Sequence, residues 1–146
     1  MSAFACDDQG RLCAGGIPLG DIAASHGSPL YVYSGDGIRD DYRRFAAAVA
    51  PVDGSVHFAL KANSALGVIG LLARNGAGAD IVSGGEMARA LAAGIPAKKI
   101  VFSGVGKSAE EIGAALDASI GQINAESPQE VEAISQIAAA RGVQAP

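Results

Sequence analysis

The chain has 146 residues, of which 49% are hydrophobic, 18% charged and 5% aromatic, with 20 glycines and 30 alanines. That length suits about one domain, and high apolar content with a net charge of only −4 excludes a disordered chain. With 11 Lys and Arg against 15 Asp and Glu there is no basic nucleic-acid footprint, and no run of about 18 apolar residues predicts a membrane span.

In chain order, Met1-Ser2-Ala3-Phe4-Ala5-Cys6-Asp7-Asp8 lacks the basic start and apolar stretch of a signal peptide. Cys6 and Cys13 are separated by six residues, which fits neither a redox pair nor a zinc pair. Two free thiols predict a cytoplasmic chain. Residues 1–30 read as irregular, with Gly15-Gly16, Pro18, Gly27 and Pro29 as punctuation and room for one short helix over 18–27. Residues 30–33, Leu-Tyr-Val-Tyr, predict a strand. Residues 37–50 predict a helix with Ile38, Tyr42, Phe45 and Val49 on one face, ended by Pro51.

From residue 55 the chain alternates regularly. Strands are predicted over 56–62, 79–82, 99–102 and 120–125, and helices over 66–74, 84–93, 109–118 and 128–141. Strict β-then-α order predicts a parallel sheet with helices on its faces. Ser83-x-x-Glu86, Ser108-x-x-Glu111 and Ser127-x-x-Glu130 each have capping-box spacing. An eight-unit (β/α) barrel typically takes about 250 residues, so the four units here predict half of one, in a piece of a longer protein.

Period two puts His57, Ala59 and Lys61 on one strand face and Phe58, Leu60 and Ala62 on the other. The bulky set is expected to meet helices. Lys61 then stands at the C-terminal end of a strand, where barrel enzymes place their sites. A lysine there can serve as a Schiff-base amine or can simply reach solvent. Asp80 is an aspartate inside a strand and needs a partner; Lys61, a cofactor or a neighbouring loop are the candidates. Glu86 is either a cap residue or a second carboxylate at the sheet's mouth. Gly104-Val105-Gly106-Lys107-Ser108 has the ending of a phosphate-binding loop, but Val101 stands where its first glycine belongs. The same stretch fits Gly-x-Gly-x-x-Ala with Ala109 last and Glu126 on the following strand, which keeps a dinucleotide-binding domain over Gly104–Ala109 as an alternative. His26 and His57 have no ligand at metal-binding spacing.

Phe58-Ala59-Leu60-Lys61-Ala62-Asn63-Ser64 resembles the cofactor-lysine segment of fold-type III pyridoxal-phosphate enzymes, which share the alanine-racemase-like barrel. Residues 76–86, residues 99–107, Asn124-Ala125-Glu126-Ser127 and residues 28–34 are similar to segments of diaminopimelate decarboxylases, in family order. Alanine racemases differ after Lys-Ala-Asn, and eukaryotic-type ornithine decarboxylases carry Cys where Ala62 stands. The resemblance implies an α/β fold, the N-terminal half of a (β/α)8 TIM barrel over residues 30–146, preceded by a leader over 1–29. It implies that Lys61 holds pyridoxal 5'-phosphate, with Asp80 near the cofactor and His57, Ser83 and Glu86 behind it. The implied reaction is decarboxylation of meso-2,6-diaminopimelate to L-lysine and CO2, in a homodimer acting on a free amino acid. Another decarboxylase or racemase of the same fold is the alternative. The family's ring-stacking histidine, phosphate loop, substrate arginine and C-terminal β-domain have no counterpart in these residues, so the chain alone is expected to be inactive.

Overall fold

The computed structural model describes residues 3–146; Met1 and Ser2, the first residues of the stretch read for a signal peptide, lie outside the described residues. The chain divides into two compact units, one ending at Ala48 and one running Val49–Pro146.

The first unit holds a three-stranded antiparallel sheet, β1 (Phe4–Cys6), β2 (Leu12–Ala14) and β3 (Ile17–Pro18), where an irregular segment was expected. Its first turn is tied by Asp7, whose carboxylate accepts from the Gln9 amide at 3.0 Å and the Arg11 amide at 2.9 Å. Its second turn is the two-residue Gly15-Gly16 loop, both residues with positive φ, the conformation that a tight hairpin favours. Helix α1 (Leu19–His26) follows, and helix α2 (Gly35–Val49) starts behind Ser34, whose hydroxyl accepts from the Gly37 amide at 3.2 Å. Residues 30–33 belong to no strand. β-branched and aromatic content gives a strand only where a ladder partner exists, and Tyr31 stands 90% exposed.

The second unit is a four-stranded parallel sheet in sequential order. Its strands are β4 (His57–Ala59), β5 (Gly78–Ile81), β6 (Ile100–Phe102) and β7 (Gln122–Ile123), separated by α3 (Leu66–Arg74), α4 (Gly84–Ala92) and α5 (Ala109–Asp117) and followed by α6 (Pro128–Arg141). Strands β4, β6 and β7 are shorter than predicted, and β5 keeps the predicted length but starts one residue earlier. The strand expected over 56–62 turns into a single 3-10 turn at Leu60–Ala62. Around β7 the pairing reaches beyond the ladder, through Gly121 N–H to the Ile100 carbonyl and Asn124 N–H to the Phe102 carbonyl.

Register settles which residues share a face. Phe58 pairs with Ala79, and Ala79 with Ile100; Ile81 pairs with Phe102, and Phe102 with Ile123. This face, with Leu60, is sealed beneath the helices together with Ile69, Met87, Ala90 and Ala115. Ile112 and Leu116 of α5 join Ile134 and Ala138 of α6 in a second cluster. The opposite face carries Ala59 beside Asp80, then Val101 and Gln122, and is only partly buried. One side of the sheet is therefore a hydrophobic core and the other a polar, accessible surface.

His57 opens β4 opposite Gly78. Its ring fills the space a side chain at 78 would need: a Cβ there would lie 2.5 Å from His57 Nδ1 and closer still to the Lys99 carbonyl oxygen. Gly67, in α3, has nothing within 4 Å of the same construction. Gly78→Ala is expected to destabilise the purified protein by about 1–3 kcal/mol through overpacking, and Gly67→Ala to stabilise it by about 0.5–1 kcal/mol. Urea unfolding of both variants checks the contrast.

Candidate functional site

The C-terminal edge of the parallel sheet is where the polar face meets the βα loops. Lys61 stands there, one residue after the wholly buried Leu60, on the turn that ends β4. Leu60 anchors the turn in the core, so the next position is exposed. The backbone beyond is pinned twice. Asn63 Oδ1 accepts from the Ala65 amide at 3.0 Å, and Arg89 of α4 donates to the Ser64 carbonyl at 3.2 Å.

The chain has four lysines. Lys98 and Lys99 lie in the 3-10 turn ahead of β6, at the other edge of the sheet, and Lys99 donates to the Gly76 carbonyl at 3.0 Å. Lys107 is sealed, with its side chain 1% exposed, and its ammonium donates to the Gly104 carbonyl at 2.7 Å, the Asn124 carbonyl at 2.7 Å and Glu130 Oε1 at 3.3 Å. An ammonium has three donors, so none is left over. Lys61 alone among the lysines combines the C-terminal edge with a side chain that has no hydrogen bond or ion pair among the described residues. A free amine is what an aldehyde cofactor requires, and this donor set fits one.

Asp80 lies on the polar face in register with Ala59, two residues before Lys61. Its partner is Ser103, just past β6, whose hydroxyl donates to Asp80 Oδ1 at 2.6 Å. Asn124 Nδ2 donates to Ser103 Oγ at 3.0 Å, and Gln122 Nε2 donates to Asn124 Oδ1 at 2.6 Å. Of the three partners open to Asp80 on the sequence, the next strand's loop supplies the one present. Ser103 and Asn124 lay in segments read only for their family resemblance and Gln122 carried no signal; the i, i+2 spacing of Gln122 and Asn124 at one strand end is the pattern that could have found that pair.

The other candidates have local duties. His57 sits at the opposite end of β4 from Lys61, with Nε2 3.1 Å from Ser55 Oγ and Nδ1 buried without a hydrogen-bond partner among the described residues. Ser83 caps α4 by accepting from the Glu86 amide at 3.2 Å, while Glu86 Oε2 accepts from the Val82 amide at 2.8 Å. Ser127 caps α6 likewise, and Glu130 accepts from the Glu126 amide at 2.7 Å. The reciprocal capping box is complete only at Ser108 and Glu111. Glu111 also crosses to the neighbouring βα unit, accepting from the Gly84 amide at 2.8 Å. In the Gly104–Ala109 loop, then, the lysine is consumed internally and the serine caps a helix. The loop offers a phosphate neither side chain.

The Gly84 amide, then the Ser108 amide, hold the Glu111 carboxyl below its ordinary value. The Glu126 amide does the same for Glu130, against the opposing effect of burial and with help from Lys107. Backbone N–H groups at helix starts favour the ionised form.

The family described as pyridoxal-dependent decarboxylase, pyridoxal binding domain, matches residues 36–144. A diaminopimelate decarboxylase of Pseudomonas fluorescens is 52% identical over 138 residues, covering 94% of this chain and 33% of its own. That of Pseudomonas aeruginosa is 47% identical over 146 residues, covering 100% and 35%. The chain spans about a third of the length of the curated relatives it matches. Among solved structures, an Aquifex aeolicus protein superposes with a TM-score of 0.92 at 40% identity, over 97% of this chain and 35% of that one. Diaminopimelate decarboxylase from M. jannaschii in complex with L-lysine gives 0.91 at 36% identity, over 97% and 34%. A Chlorella virus arginine decarboxylase gives 0.70 at 20% identity, over 82% and 33%, a likeness of fold alone. The fold is thus part of the alanine-racemase-like barrel.

Lys107→Met is expected to cost about 3 kcal/mol in urea unfolding, because it leaves the Glu130 carboxylate without its cation and two carbonyls without a donor. Acid should act on the same region. Glu111 and Glu130 have folded values below their unfolded 4.5. Their contribution is therefore complete above that pH and is lost as pH falls through the folded values. Glu111→Gln should flatten the acid limb of stability against pH, read from chemical denaturation at successive pH values.

Proposed function

The chain belongs to the pyridoxal-dependent decarboxylases, whose pyridoxal-binding domain it matches over residues 36–144, and from that membership we propose that Lys61 bears pyridoxal 5'-phosphate in an enzyme that decarboxylates meso-2,6-diaminopimelate to L-lysine and CO2. The observation that carries this reading is that Lys61, alone among the four lysines, joins a place at the C-terminal edge of a parallel sheet whose other face is open to a side chain with no hydrogen bond or ion pair among the described residues. Barrel enzymes work at that edge. Relatives at 41% to 52% identity are diaminopimelate decarboxylases, and one solved relative holds L-lysine, which supports this substrate over ornithine or arginine.

When bound, pyridoxal phosphate supplies an electron sink for the pair left on carbon as a carboxylate departs. Holding and orienting fall to the chain's own residues. Lys61 would offer the amine that holds the cofactor's aldehyde group. The buried Leu60 and the Arg89–Ser64 hydrogen bond keep the turn bearing that amine in place. Asp80 presents a carboxylate on the adjoining strand, toward the same edge. Phe102, Ile81 and the other core residues shut water out from beneath.

The wider reading includes residues 30–146 as part of the cofactor barrel with 1–29 as its leader, a homodimer in the cytoplasm, and a place at the end of lysine biosynthesis. The thiols of Cys6 and Cys13, neither in a disulfide, are consistent with a reducing compartment.

Loading the full-length protein that carries these residues with pyridoxal phosphate is expected to shift the visible band of the free cofactor and to support CO2 release from meso-diaminopimelate, with ornithine and arginine inert, whereas residues 1–146 alone are expected to release none. Lys61→Arg keeps the charge but its guanidinium stays protonated and is not a usable nucleophile. That variant should lose both the shifted band and CO2 release. Release that survives Lys61→Arg, or that prefers ornithine or arginine, would refute the assignment.

A further inference from the structure

We propose that Ser103 is a positioning residue: backed by Asn124, it fixes the Asp80 carboxylate so that one oxygen stays available to a protonated nitrogen beside Lys61. The inference rests on the assignment of Lys61 to the cofactor, and it follows from the direction of a hydrogen-bond relay.

A serine hydroxyl has one proton. At 2.6 Å from Asp80 Oδ1 that proton goes to the carboxylate, within the range of charge-assisted O–H···O bonds. The Ser103 oxygen must then accept, and Asn124 Nδ2 donates to it at 3.0 Å. Asn124 is itself held on three sides. Its Oδ1 accepts from Gln122 Nε2 at 2.6 Å, its carbonyl accepts from Lys107 Nζ at 2.7 Å, and its amide donates to the Phe102 carbonyl at 2.9 Å. Every link is oriented, and the relay can end only on Asp80.

It ends on one oxygen. Oδ1 is occupied by Ser103, whereas Oδ2 has no hydrogen-bond partner among the described residues. Asp80 is the register neighbour of Ala59, which lies two residues before Lys61. A carboxylate clamped through one oxygen keeps the other at a fixed place, which lowers the ordering cost of receiving an N–H donor there. Had the relay served only to join β5 to β6, the backbone ladder between Asp80 and Val101 would already do so.

The test uses the full-length protein that carries these residues, as wild type and with Ser103→Ala, Ser103→Thr and Lys61→Ala, and reads pyridoxal phosphate affinity, visible circular dichroism of the bound cofactor and melting of the cofactor-free protein. Ser103→Ala is expected to weaken cofactor binding about tenfold, the scale of one hydrogen bond to a charged group. It should alter the visible dichroism while moving the cofactor-free melting temperature by only a few degrees. Ser103→Thr, which keeps the hydroxyl, should restore affinity and dichroism. Asn124→Ala removes the donor behind Ser103 and gives the same comparison if Ser103→Ala does not fold. The proposal is overturned if Ser103→Ala equals wild type in affinity and dichroism, or if the alanine and threonine variants are equally impaired. A cofactor band that persists in Lys61→Ala would instead condemn the reading of Lys61, so the two failures are distinguishable.

Discussion

In a parallel ladder, residues paired across strands share a face, and a single hydrophobic pairing therefore commits the whole sheet. Here the chain of pairs from Phe58 through Ala79 to Ile100, and from Ile81 through Phe102 to Ile123, places the largest apolar groups on one side. Covering that side with helices leaves the polar residues on the other. Ala59, Asp80, Val101 and Gln122 share that face because of this, and a slip of one residue would exchange the two sets. The position of Lys61 follows as well. Leu60 belongs to the sealed face, so the turn that buries it releases the next residue at the sheet's edge.

That edge is held by polar links between successive βα units rather than by apolar packing. Glu111 reaches from the start of α5 to the first amide of α4, and Lys107 reaches from the loop before α5 to the end of β7 and the first turn of α6. Glu111 uses amides that a helix start leaves unsatisfied, and Lys107 satisfies two loop carbonyls and the Glu130 carboxylate. An amide at a helix N-terminus is a good donor to a carboxylate, and a buried lysine with three acceptors is fully satisfied. The links fix the loops relative to the strands, which gives the Asp80–Ser103–Asn124 relay a rigid foundation. A site built on rigid elements keeps its geometry better than one carried on mobile loops.

Helices α3 and α6 coincide with the ranges read from the sequence, because Gly76, Ser127, Pro128 and Gly142 mark their ends chemically. The sealed and open strand faces were legible for the same kind of reason, since period two is local. The hairpin at Gly15-Gly16 had a legible turn, but strands of two or three residues carry almost no periodic signal. Residues 30–33 have strand composition and no ladder, and composition cannot report a missing neighbour. The partners of Lys107 lie 17 and 23 residues away, and Ser103 is 23 residues from Asp80. Side-chain pairings at that separation are set by register between strands, which no short motif encodes. Capping spacing, by contrast, concealed a long-range duty: Glu111 looked like a cap residue and is also a bridge between βα units.

If one amine at the C-terminal edge of the sheet bears the cofactor, its identity can be read chemically. Borohydride reduction of the pyridoxal-phosphate-loaded protein, followed by peptide mass mapping, does so, because reduction makes the attachment permanent at whichever lysine holds it. A single pyridoxyl adduct on Lys61 is expected, with Lys107 unmodified because its ammonium is sealed among three oxygens. An adduct on Lys98, Lys99 or Lys107 with Lys61 unmodified would contradict the assignment.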